Sequence, residues 1–177
     1  KIGIVIAFLI ASPVNYAQSF FDKLEDMDGV DVVVVTKDAF EMLSKFQDIK
    51  IDDNQTMKVF SLINDLRELK IFTTNDANNA NKMDKMVGKA IKTQKLTEIM
   101  RVKEEDTRIK IYVKATKDKA YVSEVLMFIK GVGKKTNKNV ESVIISLTGT
   151  IDIKKISEIT DTFVKEVNML TSFTNVS

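Results

Sequence analysis

Gly131-Val132-Gly133-Lys134-Lys135-Thr136 is the stretch that comes nearest to chemistry. Glycine amides followed by lysine and threonine are what a phosphate-cradling loop uses, with four residues between its glycines and a helix opening behind it. Here one residue separates the glycines and a β-rich stretch follows, so a hairpin loop with solvated lysines is expected. Asp26 and Asp28 beside Gly29, or Asp52 with Asp53, resemble fragments of a calcium loop. A calcium cage needs six or more oxygens at fixed offsets, which neither run supplies, so turn formation and helix capping explain these carboxylates. Glycoside hydrolysis needs two carboxylates aimed at one cleft, and 25 acidic residues select no pair. Glu104-Glu105-Asp106 reads as a solvated hairpin tip. A serine nucleophile would need Lys, Asp or Glu as its base, and no local motif chooses one. Asn54-Gln55-Thr56 matches the glycosylation acceptor pattern, which matters only in a eukaryotic secretory pathway. No catalytic, cofactor-binding or metal-ligating residue is assigned.

Arg108, Lys110, Tyr112 and Lys114 are the candidate interaction face. They form one side of RIKIYVK, the cleanest alternation in the chain, with Ile109, Ile111 and Val113 on the other. A basic strand face carrying an aromatic suits an anionic or flat partner, although an outward charged row is also the ordinary wet side of an antiparallel strand.

Composition narrows the chemistry further. The 177 residues contain no cysteine, histidine or tryptophan. Disulfides, thiolate metal sites, thiol nucleophiles and the commonest general base are therefore excluded. With 27 basic and 25 acidic residues the net charge is +2, too near balance to advertise nucleic acid as a partner. A chain of this length suits one domain and buries roughly two thirds of its unfolded surface without staples.

The elements that position these residues follow from periodicity. Residues 1–17 carry one lysine, the apolar run Ile2–Ile10, Pro13 and a small-residue end at Ala17, the pattern of a signal peptide cleaved between Ala17 and Gln18. The apolar run is too short to span a bilayer comfortably, so no stable membrane insertion is expected after signal removal. With no cysteine at the cut, a lipid anchor is not expected either, and a periplasmic or secreted product is expected. Residues 18–177 are expected to form a single domain. An amphipathic helix runs from Gln18 to Met27 and closes at Asp28-Gly29. Val30–Val35 is nearly continuous in β-branched residues and reads as a central strand covered on both faces. Asp38 is expected to cap a helix with the stripe Ala39, Met42, Leu43 and Phe46, and Asp52–Asn54 a third over Met57, Phe60 and Ile63. Leu69–Thr73 marks a strand, and a helix through Met83, Met86, Val87, Ala90 and Ile91 follows.

Four strands then come in succession: Thr97–Lys103, Arg108–Lys114, Tyr121–Ile129 (apolar on both faces at VLMFI), and the strand after Val140. Short links between them predict an antiparallel meander. Thr148-Gly149-Thr150 breaks the last strand, Asp152 caps the next turn, and Ile156, Ile159, Phe163, Val167 and Leu170 form one helical stripe. The expected fold class is α+β: a mostly antiparallel sheet with helices packed on it and a C-terminal helix as its last element.

FDKLEDMDGVDVVVVTKDAFEML, INDLRELKIFTT, LTEIMRVKEEDTRIKIYVK, VSEVLMFIKG and VIISLTGTIDIKKISEI together resemble the domain-of-unknown-function family 4252, over about Phe20 to Phe163. The turn ISLTGTIDIKKIS is the most specific piece. The resemblance implies an exported, often lipid-anchored, envelope protein of Gram-negative bacteria with an α+β fold, and members are commonly encoded near envelope regulators of transcription. It carries no catalytic residues. The chain differs from many relatives in lacking a lipid-bearing cysteine. The expected function is thus a non-enzymatic binding or interaction module acting on a protein or small ligand of the envelope, and the resemblance implies a place in envelope signalling. The alternative is a hydrolase using carboxylates or a Ser/Lys pair.

Overall fold

Alternation alone would leave each strand dry on one side and wet on the other. The computed structural model shows a sheet buried on both sides. It describes residues 15–45, 65–104, 107–131, 140–156 and 158. Its strands are β1 (Asp31–Thr36), β2 (Asp65–Thr74), β3 (Thr97–Glu104), β4 (Thr107–Ala115), β5 (Tyr121–Lys130) and β6 (Ser142–Asp152). Its helices are α1 (Asn15–Glu25), α2 (Lys37–Lys45) and α3 (Ala77–Gln94). The strand order is β1-β2-β6-β5-β4-β3, and every neighbouring pair is antiparallel. The expected α+β class, the antiparallel sheet and the meander from β3 to β6 are therefore observed.

One face is roofed by α1 and α3. Phe20, Phe21 and Leu24 from α1 and Met83, Val87 and Ala90 from α3 pack with Phe72, Tyr112, Leu126, Phe128 and Ile144 of the sheet. The opposite face carries Leu69, Ile111, Val125, Met127, Ile145 and Leu147, with Ile156 against them. Double burial explains the apolar run VLMFI in β5, which has no wet side to supply with polar residues. It also leaves a few polar groups inside. Ser142 donates its hydroxyl to the carbonyl of Ile129, whereas Gln94 is buried with both side-chain polar atoms unpartnered.

A polar junction ties the roof to the sheet at one end. Asp76 caps α3 by accepting the amide of Asn79 at 2.7 Å. Asn79 donates its side-chain amide to the carbonyl of Asp28, and Thr74 donates its hydroxyl to the carbonyl of Gly29. Gly29 has φ of 75°, and a Cβ there would lie 2.9 Å from Asn79 Nδ2. Only glycine fits both the left-handed backbone and the close approach, so Gly29 closes the turn between α1 and β1 as expected, although α1 itself stops at Glu25, short of the expected Met27.

Four expectations are corrected. The valine run is an edge strand, not a central one: β1 pairs with β2, and Val33 and Val34 are 53% and 43% exposed. Its composition satisfies a central strand, but pairing, not composition, sets a strand's place in the sheet. Asp38 lies inside the first turn of α2, and the Thr36 hydroxyl accepts the amide of Ala39 at 3.4 Å instead; Met42 of the expected stripe is exposed. Gly149 does not end its strand, since β6 continues to Asp152 across a bulge in its pairing with β2. The last described element is a 3-10 turn, Ile153–Lys155, rather than a C-terminal helix. Asp152 caps that turn, accepting the amide of Lys154 at 2.9 Å. Ile156, one residue on, belongs to the buried cluster on the face opposite the helical roof. The remainder of the helical stripe beyond Glu158, the third helix over Met57–Ile63, the glycosylation pattern, residues 1–14 and most of the Gly131–Thr136 loop lie outside the described residues.

Candidate interaction face

RIKIYVK folds as β4 between β3 and β5, so Arg108, Lys110 and Tyr112 each acquire a neighbour on both sides, and Lys114 acquires Glu124 on β5. The four predicted residues do share one side of the sheet, and it is the side that α3 roofs. Tyr112 is consequently 5% exposed and packed among the helix residues, not presented to solvent as expected. Burial, then the hydrogen-bonded carboxylate of Glu98 beside it, pushes the Tyr112 hydroxyl up to about 12. Lys110 and Lys114 are half-buried and Arg108 is exposed. The sequence could not show this, because alternation assigns sides without saying which side a helix will cover.

Cross-strand register builds something larger around Arg108. Lys103 on β3 stands opposite Arg108, and Arg108 stands opposite Lys130 on β5. The next row pairs Arg101 with Lys110. Five basic side chains thus occupy two adjacent rows of one face. Like charges directly opposite one another in a sheet are destabilising, by about 0.2–1 kcal/mol per pair. Acidic relief is confined to the rim. Asp84 Oδ2 lies 3.6 Å from Lys130 Nζ, and Asn81 Oδ1 accepts from the same amine at 3.0 Å. Glu98 takes Arg101 through two hydrogen bonds of 2.8 Å, which holds its carboxyl below the usual range, the Arg101 bond being the main cause.

The roof adds to this face. Lys82, Lys85, Lys89 and Lys92 are exposed along the back of α3, opposite the buried Met83, Val87 and Ala90. Their spacing of three, four and three puts them on one stripe, and the helix's one carboxylate, Asp84, lies off it beside Lys130. This stripe was legible in the sequence as lysines out of phase with the apolar positions. The ladder Lys103-Arg108-Lys130 was not legible, because it exists only once three strands are in register.

Glu124 is the carboxyl set apart by its surroundings. It is 5% exposed, its Oε1 has no hydrogen-bond partner, and its ladder neighbours are Lys114 and Thr148. Burial pushes its pKa up, with Lys114 pulling the other way. A carboxylate pair for hydrolysis is not assembled by those neighbours. Among the described residues, no three acidic groups converge to hold a metal ion, and no helix is long and apolar enough to cross a membrane.

Nothing among curated proteins and nothing among solved structures matches the chain. A family model described as a domain of unknown function matches residues 21–159, which include all six strands and the roofing helix α3. The most specific resemblance noted in the sequence, the ISLTGTIDIKKIS turn, is the end of β6 with its 3-10 turn, inside that match. The chain therefore belongs to the DUF4252 family.

Proposed function

We propose that this chain is an exported, single-domain envelope protein that works by contact, and that its contact surface is the basic face of β3, β4, β5 and α3. Arg108 and Lys110 of the row noted in the sequence belong to it; Tyr112 serves the core beneath it. The observation that supports the reading is the ladder Lys103-Arg108-Lys130. A fold gains nothing internally from three cations side by side, and an anionic partner surface would relieve their repulsion. The lysine stripe of α3 extends the same sign of charge across the roof. The partner is therefore a protein or ligand of the envelope that presents carboxylates or another anion.

The double replacement Lys103→Gln/Arg108→Gln tests this with two opposed readouts. Thermal and urea stability should rise slightly, by about 0.2–1 kcal/mol, as like charges are removed. Capture of partners from envelope extract should fall about tenfold, and the wild-type capture should weaken steeply between low and physiological salt. Capture that ignores both salt and the replacements removes the face from consideration. Export is checked on the native protein, whose N-terminus should lie at or near Gln18; a retained Lys1 refutes it.

A further inference from the structure

The end of β4 far from Arg108 carries a second basic surface of a different make. The chain turns there from β4 into β5 through Thr116-Lys117-Asp118-Lys119-Ala120, and β6 ends beside it in the 3-10 turn Ile153–Lys155. Tyr121 stands opposite Asp152, and the amide of Ile153 donates to the carbonyl of Ala120 at 3.0 Å, so the two segments form one tip. Lys117, Lys119 and Lys154 are exposed, and among the described residues no ion pair falls on them. The carboxylates among them are engaged within the turns: Asp118 accepts the amide of Ala120 and Asp152 that of Lys154, each at 2.9 Å. Beside these lysines Tyr121 and Ile153 are 39% and 43% exposed. Lysines alone would make a solvated turn. An amphipathic ring and an aliphatic side chain held among them give the tip the composition of a lipid interface, where such groups enter the headgroup layer and lysines meet phosphate.

We propose that this tip docks on an anionic phospholipid surface. Charge complementarity calls for an anion, and the local geometry selects which kind. β5 and β6 are each paired on both sides, so the tip offers no open strand edge to an extended acidic peptide. The amides of Ala120, Tyr121, Ile153 and Lys154 all have acceptors within the tip, so none of the four is left to cradle a single phosphate. What faces outward is diffuse positive charge with apolar side chains beside it, and a charged surface backed by hydrocarbon satisfies both at once. The contact is peripheral, since it reaches the headgroup layer through two side chains; among the described residues no helix is long and apolar enough to cross a membrane. The proposal is independent of the basic face, whose ladder Lys103-Arg108-Lys130 lies at the opposite end of β4.

Co-sedimentation of the full chain with phosphatidylcholine vesicles, with and without about 30% phosphatidylglycerol, tests the proposal. Binding should require phosphatidylglycerol and fall steeply between about 0.05 and 0.5 M salt. The triple replacement Lys117→Gln/Lys119→Gln/Lys154→Gln should weaken it about a hundredfold, at about fivefold per lysine, with unchanged circular dichroism because all three side chains are exposed. Lys103→Gln/Arg108→Gln should change it by less than about twofold, since those charges lie beyond the ~10 Å screening length from the tip. The chain has no tryptophan, so Ile153→Trp supplies a single reporter. Its emission should shift to the blue on the anionic vesicles and stay unshifted with soluble polyglutamate. All these chains share the apolar run Ile2–Ile10, so differences between them report the tip. An absence of binding to anionic vesicles, or binding indifferent to the triple replacement, would overturn the proposal. So would loss of binding in Lys103→Gln/Arg108→Gln, which would place the lipid on the basic face, or a blue shift with polyglutamate, which would make the tip a site for acidic proteins.

Discussion

Phe72→Ala should lower the stability of the domain by about 3–5 kcal/mol and cost helical signal as well as sheet. Phe72 has no exposed surface, and it lies on β2 between Val32 of β1 and Ile144 of β6. Its ring stacks on Phe21 of α1 at 5.9 Å between centroids and 15° between planes, and Phe21 meets Phe20 edge-on at 4.9 Å. α1 has 11 residues, a length at which an isolated helix is marginal in water, so its helicity depends on this docking. Lys70 helps from the side, with its amine 2.8 Å from Glu25 and 5.4 Å from the Phe21 ring centre, but partly exposed contacts of this kind contribute little. Urea unfolding followed by circular dichroism measures the effect. A loss below about 1 kcal/mol would mean that the pocket collapses around the smaller side chain and that α1 is held by something else. Phe72→Leu, which retains most of the volume, should cost less than half as much.

Glu124→Gln should stabilise the protein at neutral pH by about 1–3 kcal/mol while changing little in acid. The sign follows from the direction of the shift. Burial raises the folded-state pKa above its ordinary 4.5, so the contribution of this group is fully present below the unfolded value and is lost as pH rises through the folded one. Lys114, its neighbour on β4, opposes the rise without cancelling it. Between about pH 4.5 and neutrality the wild type should therefore lose stability relative to the glutamine variant. Comparing the two chains isolates this group, because every other titration is shared. Were the wild type instead to gain on the variant as pH rises, the carboxylate would be held in its charged form, and the assignment of an orphaned buried oxygen would fail. Glu124→Leu should go further, since it also removes the unpartnered Oε1.

The strands from β3 to β6 were legible because each is a period-two or doubly apolar run closed by a short polar link, and short links between such runs leave antiparallel pairing as the economical solution. The helix α3 was legible from Met83, Val87 and Ala90. What failed had a common cause. DVVVVT fits the middle of a sheet as well as its edge, and only the insertion of β6 between β2 and β5 decides the matter. RIKIYVK gives two sides correctly, but the side bearing Tyr112 is wet only until α3 lies on it. The basic ladder draws residues from positions 103, 108 and 130, which no local window contains together.

By itself the sequence determined the family, the α+β class, the turn at Gly29, the cap at Asp152, and a chain without thiol or imidazole chemistry. These rest on interactions within a turn or two of the residue concerned, or on which side chains exist at all. The tertiary structure decided which strands are edges, which face is roofed, and which charges stand side by side. Those outcomes depend on hydrogen-bond registers between segments far apart in the chain, and a register is selected by the burial summed over the whole sheet rather than by any single strand.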